Sequence, residues 1–313
     1  MAHETGVSKN RLINIPKKKI KPLKRENVVG WMFALPWVIG LLVFYGYPLF
    51  SSLYYSLTSY SILQPGKFVG LENYVTLFND DLFWKSINNT VYFAILFVPL
   101  SIIFGIALAM MLNLNVKGMS YYRTFFFLPT LVPHVALAVL WLWLLDPEFG
   151  LVNNLLAQVG ISGPPWLGGQ YWSKPSLIFM SLWGIGQAIV IYLAGLNDIS
   201  EEYYEAAKVD GANWFQTTFR ITIPMLTPVI FYNLVMGVIG AFQQFTLPYT
   251  LTQGSGQPAN SMKFYVMHLY DNGFNYFRMG YASAMAWILF IIIMACTAVI
   301  FLTAKRWVHY QGK

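Results

Sequence analysis

The chain has 313 residues, of which 57% are hydrophobic and only 11% charged, well short of the quarter or so of charged residues in a soluble domain. That composition excludes a water-covered globule, a disordered chain and a cytosolic enzyme, and apolar runs along the whole length point to one polytopic membrane domain. The net charge of +7 suggests nucleic acid until its placement is read, and the single cysteine, Cys296, cannot form an intrachain disulfide.

Eight of the twenty Lys and Arg fall between Lys9 and Arg25. Lys17, Lys18, Lys19, Lys21, Lys24 and Arg25 therefore read as a topology signal and lipid-headgroup anchor closing a basic tail, residues 1–28. No aromatic or fold signature of a nucleic-acid binder accompanies the run. Apolar stretches long enough to cross a bilayer follow at about 29–50, 87–112, 124–145, 176–196, 221–250 and 281–304. None has Asp, Glu, Lys or Arg in its interior, and one such charge at a helix centre would cost about 2.5 to 3.5 kcal/mol on insertion scales. The first stretch lacks an A-x-A cleavage pattern and reads as an uncleaved helix. With the basic tail inside, six spans put both termini inside, with residues 307–313 as a short C-terminal tail. Fifteen of the twenty cations are then inside and five outside: Lys67, Lys85, Lys174, Lys263 and Arg278. The outer loops become about 51–86, 146–175 and 251–280.

The inner loop from Asn197 to Arg220 breaks the charge rule. It holds Asp198, Glu201, Glu202, Glu205 and Asp210 against Lys208 and Arg220. Ser200 suits an N-cap, Glu201 and Glu202 suit the positive end of a helix dipole, and Gly211 suits a C-cap. The product is a short exposed helix within residues 198–212, followed by a turn into an apolar run punctuated by Pro224 and Pro228.

Polar side chains inside the spans are few: His134, Gln187, Asn233, Gln243 and Gln244. Asn233, Gly237, Gly240 and Gln244 recur at helical spacing, which makes a small, polar face suited to a cavity. Amides both donate and accept hydrogen bonds, so they suit the hydroxyls of a sugar; they also suit hydrogen bonding between helices. Trp141, Trp183 and Tyr192 offer rings for a sugar's apolar face or for the membrane interface. A neutral saccharide needs no charge inside the membrane and is the favoured reading, whereas an acidic oligosaccharide or a sugar phosphate would need cations from a second membrane subunit or from an outer vestibule, where Lys174, Lys263 and Arg278 lie.

No G-x-x-x-x-G-K-[ST] phosphate loop, H-E-x-x-H, G-x-S-x-G or metal-spaced Cys/His cluster occurs. His134 is the one candidate for intramembrane chemistry, and no carboxylate in any span orients it. A membrane-embedded enzyme and an ion-coupled secondary carrier are the alternative readings. The carrier would ordinarily show an intramembrane ionisable group or inverted repeats.

The stretch Glu205-Ala206-Ala207-Lys208-Val209-Asp210-Gly211-Ala212, with Phe219, Ile221, Ile223, Pro224 and Pro228 after it, resembles the EAA loop of membrane subunits in binding-protein-dependent ABC importers. Phe68-Val69-Gly70-Leu71-Glu72-Asn73-Tyr74, Arg123-Thr124-Phe125-Phe126-Phe127-Leu128-Pro129 and Gly280-Tyr281-Ala282-Ser283-Ala284 resemble its carbohydrate-uptake branch, the relatives of the maltose and glycerol-phosphate permeases. One segment departs: the outer loop that often reads Gly-Gly-Pro after a Thr is Thr252-Gln253-Gly254-Ser255-Gly256-Gln257-Pro258 here. The resemblance implies an all-α, six-helix bundle of the type I importer kind over residues 29–306, in a bacterial or archaeal cytoplasmic (inner) membrane. It implies that Glu205, Ala206, Ala207, Asp210, Gly211 and Pro224 couple the bundle to a separate ATPase dimer, which carries ATP and Mg while this chain carries no cofactor. It implies as further partners a second homologous permease subunit and an extracytoplasmic sugar-binding protein. The substrate-pathway candidates are Gln187, Asn233, Gly237, Gln243, Gln244 and His134.

Overall fold

A computed structural model describes residues 24–309. The basic run from Lys9 to Lys21 and the last four residues lie outside the described residues. Among the described residues, the β-type pairings are two isolated bridges, Thr58 with Phe68 and Ser61 with Gln64; the rest of the regular structure is helical. Two compact units divide the chain, one ending at Ser51 and the other beginning at Ser52.

The first unit is built on α1 (Lys24–Leu41), which continues through a π-helical turn (Leu42–Gly46) into α2 (Tyr47–Ser56). Trp31, Phe33, Trp37 and Phe44 are all exposed, as expected of a helix that is apolar all round and sits in lipid. The second unit continues with α3 (Glu72–Phe78), α4 (Asp81–Leu112), α5 (Met119–Phe127) with a 3-10 turn (Leu128–Leu131), α6 (His134–Leu144) and α7 (Leu151–Gln158). Then come α8 (Ser173–Trp183), α9 (Gly186–Asn197), α10 (Glu201–Val209), and α11 (Trp214–Thr217), which runs through a π turn (Thr218–Thr222) into α12 (Ile223–Phe242). The last elements are α13 (Thr246–Thr252), α14 (Tyr265–Tyr270) and α15 (Met279–Ala304).

Four helical stretches are long and apolar enough to cross a membrane, at Val28–Ser56, Asp81–Leu112, Trp214–Thr252 and Met279–Ala304. Two bent pairs raise the number to six if each is one span: α5 to α6, bent by 100°, and α8 to α9, bent by 49°. The third span expected from sequence is thus broken rather than straight. Its cause is Pro133, which cannot donate a helical hydrogen bond and forces the preceding residue out of the helical region; Val132 sits at φ −75°, ψ 126°.

The motifs scattered along the sequence act as ties. Asn73 donates to the carbonyls of Ser56 and Thr58 at 2.8 and 2.9 Å, and the Tyr74 hydroxyl donates to Ser56 Oγ at 2.9 Å, fixing the first loop to the end of α2. Arg123 donates twice to the carbonyl of Leu112, at 3.1 and 3.0 Å, satisfying an orphan acceptor at the C-terminus of α4. Gly280 approaches the first loop so closely that a Cβ would lie 2.0 Å from the Thr58 carbonyl oxygen.

Two apolar cores fill the second unit. One gathers Phe83, Phe93 and Val98 of α4 with Leu177 of α8, Phe264 and Met285; the other gathers Ala109 and Leu112 of α4 with Ile189, Tyr192 and Leu196 of α9 and Leu226 of α12.

Above the first core, the segment expected as an open outer loop at 251–280 is a folded cap with a buried polar interior. Lys263 and Asp271 form an ion pair with both side chains buried, and Lys263 Nζ also donates to the Gly254 carbonyl at 2.9 Å. Asn89 of α4 donates to the carbonyls of Asn260 and Lys263. Asp80, the N-cap of α4, accepts from Leu82 N–H at 2.8 Å, accepts from the Tyr281 hydroxyl at 2.9 Å, and lies 3.0 Å from His268 Nε2.

Burial holds the His268 imidazole below its ordinary 6.5, although Asp80 pulls it upward. Burial pushes the Asp80 carboxyl up, and hydrogen bonds from Tyr281, His268 and Leu82 outweigh it, holding the group below 3.8. A depressed histidine contributes stability that is complete above its unfolded value and is lost as pH falls below it; the depressed carboxylate loses its share further into acid. The detergent-solubilised chain is expected to lose melting temperature steadily from about pH 7 to about pH 5. His268→Asn should flatten that slope, and equal slopes for the two proteins would remove His268 from the explanation.

Candidate functional site

Two sites emerge from the residues singled out in the sequence. The first is α10. Ser200, with φ −60° and ψ 135°, caps it by accepting from Glu202 N–H, while Glu201 and Glu202 occupy its first turn and Lys208 its last. Charges of those signs at those ends are favoured by the helix dipole. The C-terminus closes with Gly211 at φ +73°: its N–H donates to Lys208 O at 3.1 Å, and Ala212 N–H donates to Ala207 O at 2.9 Å. That pair of bonds is the Schellman ending. Asn213 follows at once as the N-cap of α11, in a capping box with Gln216. No residue of free linker separates the end of one helix from the start of the next.

α10 presents Glu205, Ala206, Lys208, Val209 and Asp210 outward, whereas Ala207 is buried and Tyr204 packs on the second core. Ala207 therefore seats the helix on its own chain. Exposed apolar side chains flank the acids: Tyr203, Val209, Trp214, Phe215 and Phe219. Pro224 lies in the first turn of α12, past the π turn, where its missing N–H costs little.

The second site is a cavity of about 440 Å³ where the two cores meet. Five of the six pathway candidates line it: His134, Gln187, Asn233, Gly237 and Gln244. Gln243 does not: it is the exposed C-cap of α12 and lies outside the register of Asn233, Gly237, Gly240 and Gln244. Asn233 Nδ2 donates to the Val229 carbonyl one turn back at 3.0 Å, within its own helix, which leaves its carbonyl oxygen as an acceptor. Among the described residues the side chains of Gln187 and Gln244 have no hydrogen-bond partner.

Trp141 and Trp183 stack edge to face against each other and do not line the cavity, whereas Tyr192 does. Phe93, Phe97 and Ser101 of α4 and Tyr232 of α12 also line it, beside aliphatic residues such as Leu137 and Met236, and sequence reasoning passed over them. Their signal was a spacing of four on α4, invisible among many other span aromatics. The lining contains no Asp, Glu, Lys or Arg. Two of the three vestibule cations are engaged within the chain: Lys263 is spent on Asp271, and Lys174 donates to Asn89 Oδ1 at 3.2 Å and sits over the Tyr92 ring; Arg278 is exposed.

Residues 101–309 match the family described as binding-protein-dependent transport system inner membrane component. The chain belongs to this family. It is thus a multi-pass inner membrane transport component rather than an enzyme. Among relatives of this transport component, a probable ABC transporter permease protein of Bacillus subtilis (strain 168), YesP, is 40% identical and covers 95% of this chain and 96% of its own. The lactose transport system permease protein LacF of Rhizobium radiobacter is 36% identical over 91% and 97% of the two chains. The arabinooligosaccharides transport system permease protein AraP of Bacillus subtilis is 30% identical over 88% of each. Among solved structures, a chain of a bacterial alginate ABC transporter, crystallised with an alginate pentasaccharide-bound periplasmic protein, superposes with a TM-score of 0.80. It is 25% identical, covering 90% of this chain and 96% of that one.

Proposed function

We propose that this chain is the permease subunit of an ATP-driven importer of an uncharged oligosaccharide and that its cavity is part of the sugar's path. The observation that carries the reading is the lining: amides, hydroxyls, an imidazole and aromatic rings set among aliphatic side chains around about 440 Å³, with no Asp, Glu, Lys or Arg. Removing sugar hydroxyls from water is costly unless each finds a partner, and Gln187, Asn233 and Gln244 supply donors and acceptors without a net field. The names of LacF and AraP, which specify lactose and arabinooligosaccharides, support the substrate class.

In the proposed cycle, α10 docks on a separate ATPase dimer that binds ATP and Mg, through Glu205 and Asp210 on its exposed face. The Schellman turn and the capping box pass the motion of α10 to α12. A homologous permease supplies the other half of the pathway, and an extracytoplasmic binding protein delivers the sugar, a partner of the kind crystallised with the alginate transporter. The bundle then alternates between inward- and outward-facing forms. The basic tail and the three-to-one excess of cations on the α10 side support a cytoplasmic placement for both termini.

An acidic substrate is the second reading, favoured by the resemblance to the alginate transporter. The commitment of Lys263 and Lys174 to partners within the chain weighs against it, while the exposed Arg278 is the vestibule cation that would serve it.

Reconstituted with its partners in liposomes, the chain should accumulate sugar only when ATP is supplied. A double Gln187→Leu and Asn233→Leu variant should assemble normally and lose uptake about ten- to a hundredfold, the range for one or two unmatched hydroxyls. Accumulation by the isolated chain under a proton or sodium gradient would overturn the importer reading.

A further inference from the structure

Two buried side-chain polar atoms among the described residues have no hydrogen-bond partner: Tyr192 OH and Trp141 Nε1. The indole of Trp141 lies away from the cavity, edge-on to Phe179 and Trp183. Tyr192 belongs to the cavity wall and is wholly buried. A buried hydroxyl left unmatched costs about 1 to 3 kcal/mol, and phenylalanine would fill the same space without that cost. Three other tyrosine hydroxyls of this unit are matched: Tyr265 donates to Met285 O, Tyr281 to Asp80 and Tyr74 to Ser56. A buried, unmatched hydroxyl in a cavity wall calls for a partner that the folded chain does not itself supply.

The ring cannot drift toward α4 to find one. Gly105 lies directly against it, so close that a Cβ there would be 2.8 Å from Tyr192 Cε2. On α9, Gln187, Ala188, Ile191 and Tyr192 share the face that lines the cavity. One helix thus offers an amide and a hydroxyl, both unengaged. No cation lines the cavity to accompany a carboxylate, so the fitting partner is a group that both donates and accepts while remaining neutral.

We propose that Tyr192 is a specificity-determining residue whose hydroxyl pairs with one hydroxyl of the bound sugar, an inference that rests on the uncharged-oligosaccharide reading above. The hydroxyl is closed to water in this conformation, so the pairing forms as the wall adjusts around the ligand. A sugar lacking that hydroxyl leaves the phenol unmatched and is discriminated against.

The test uses the assembled transporter with the external binding protein omitted, so that the membrane cavity alone reports. Equilibrium binding is measured with radiolabelled lactose, arabinotriose and maltotriose for the parent and for Tyr192→Phe, alongside the melting temperature without ligand. The expected result is binding of at least one sugar by the parent and about five- to tenfold weaker binding by the variant, whose ligand-free melting temperature is unchanged or raised. In a series of singly deoxygenated forms of the bound sugar, measured on the parent, one position should lose about the same factor. Equal affinity of parent and variant, or a deoxy series in which no position stands out, overturns the role of Tyr192 and leaves the importer reading intact. Binding of none of the three sugars by the parent overturns the uncharged-sugar reading and this proposal with it.

Discussion

Asp271→Ala is expected to destabilise the detergent-solubilised chain by about 3 to 5 kcal/mol, the range for removing one partner of a buried ion pair. Lys263 is 6% exposed, and among the described residues its ammonium pairs with the single carboxylate of Asp271. The Gly254 carbonyl that it also meets is a dipole and cannot neutralise it. Nor can Lys263 swing out to water, because Asn89 binds its main-chain carbonyl and, through Asn260, the turn before it. The ammonium would stay buried and unpaired, which is the costly half of the exchange. Replacing both partners, as in Lys263→Met with Asp271→Leu, should recover most of the loss, since a well-packed apolar pair is often as stable as a buried ionic one. Chemical denaturation of the three proteins decides it: a double variant as unstable as the single one would mean that Asp271 acts by shape rather than charge.

Gly211→Val is expected to cut the ATP hydrolysis stimulated by loaded binding protein by about tenfold or more, while that protein still binds its sugar. A side chain at φ +73° meets the following carbonyl and costs about 1 to 2 kcal/mol, more when β-branched. The chain can escape that strain only by opening the two bonds that close α10, from Gly211 to Lys208 and from Ala212 to Ala207. With them open, the next N-cap at Asn213 no longer follows α10 at a fixed angle. Gly211→Ala should fall between parent and valine, having the smaller side chain. Full stimulation in the valine variant would refute α10 as the coupling element.

The spans and α10 were legible because their signals are local. Uncharged apolar runs, Ser200 before two glutamates and Gly211 after the last turn each act within a few residues. The bend at Val132 was also written locally, in Pro133, and was overridden by the length of the apolar run around it. The cap over 251–280 was not legible, since its ties join Asn89 to Asn260 and Asp80 to His268 and Tyr281, across more than 170 residues of chain. The cavity was half legible: polar residues stand out in an apolar span, so Gln187 and Asn233 were found. Phe93, Phe97 and Tyr232 did not stand out, because an aromatic facing a cavity and one facing lipid look alike in a sequence. Gln243 was singled out only as a polar residue in an apolar run, and it lay outside the helical register of Asn233, Gly237, Gly240 and Gln244.

The position of the cavity at the meeting of the two cores has a mechanical meaning. Each core is close-packed and resists deformation, so relative movement in this unit is concentrated where they adjoin. Phe93 is anchored in one core and Tyr192 in the other, and both face the same space. Any slide of one packed body past the other therefore changes the gap between those rings. The binding space works as a gauge as well as a container: a sugar that fits only one gap width selects the arrangement of the bodies around it, and a force applied to the bodies sets how tightly the sugar is held.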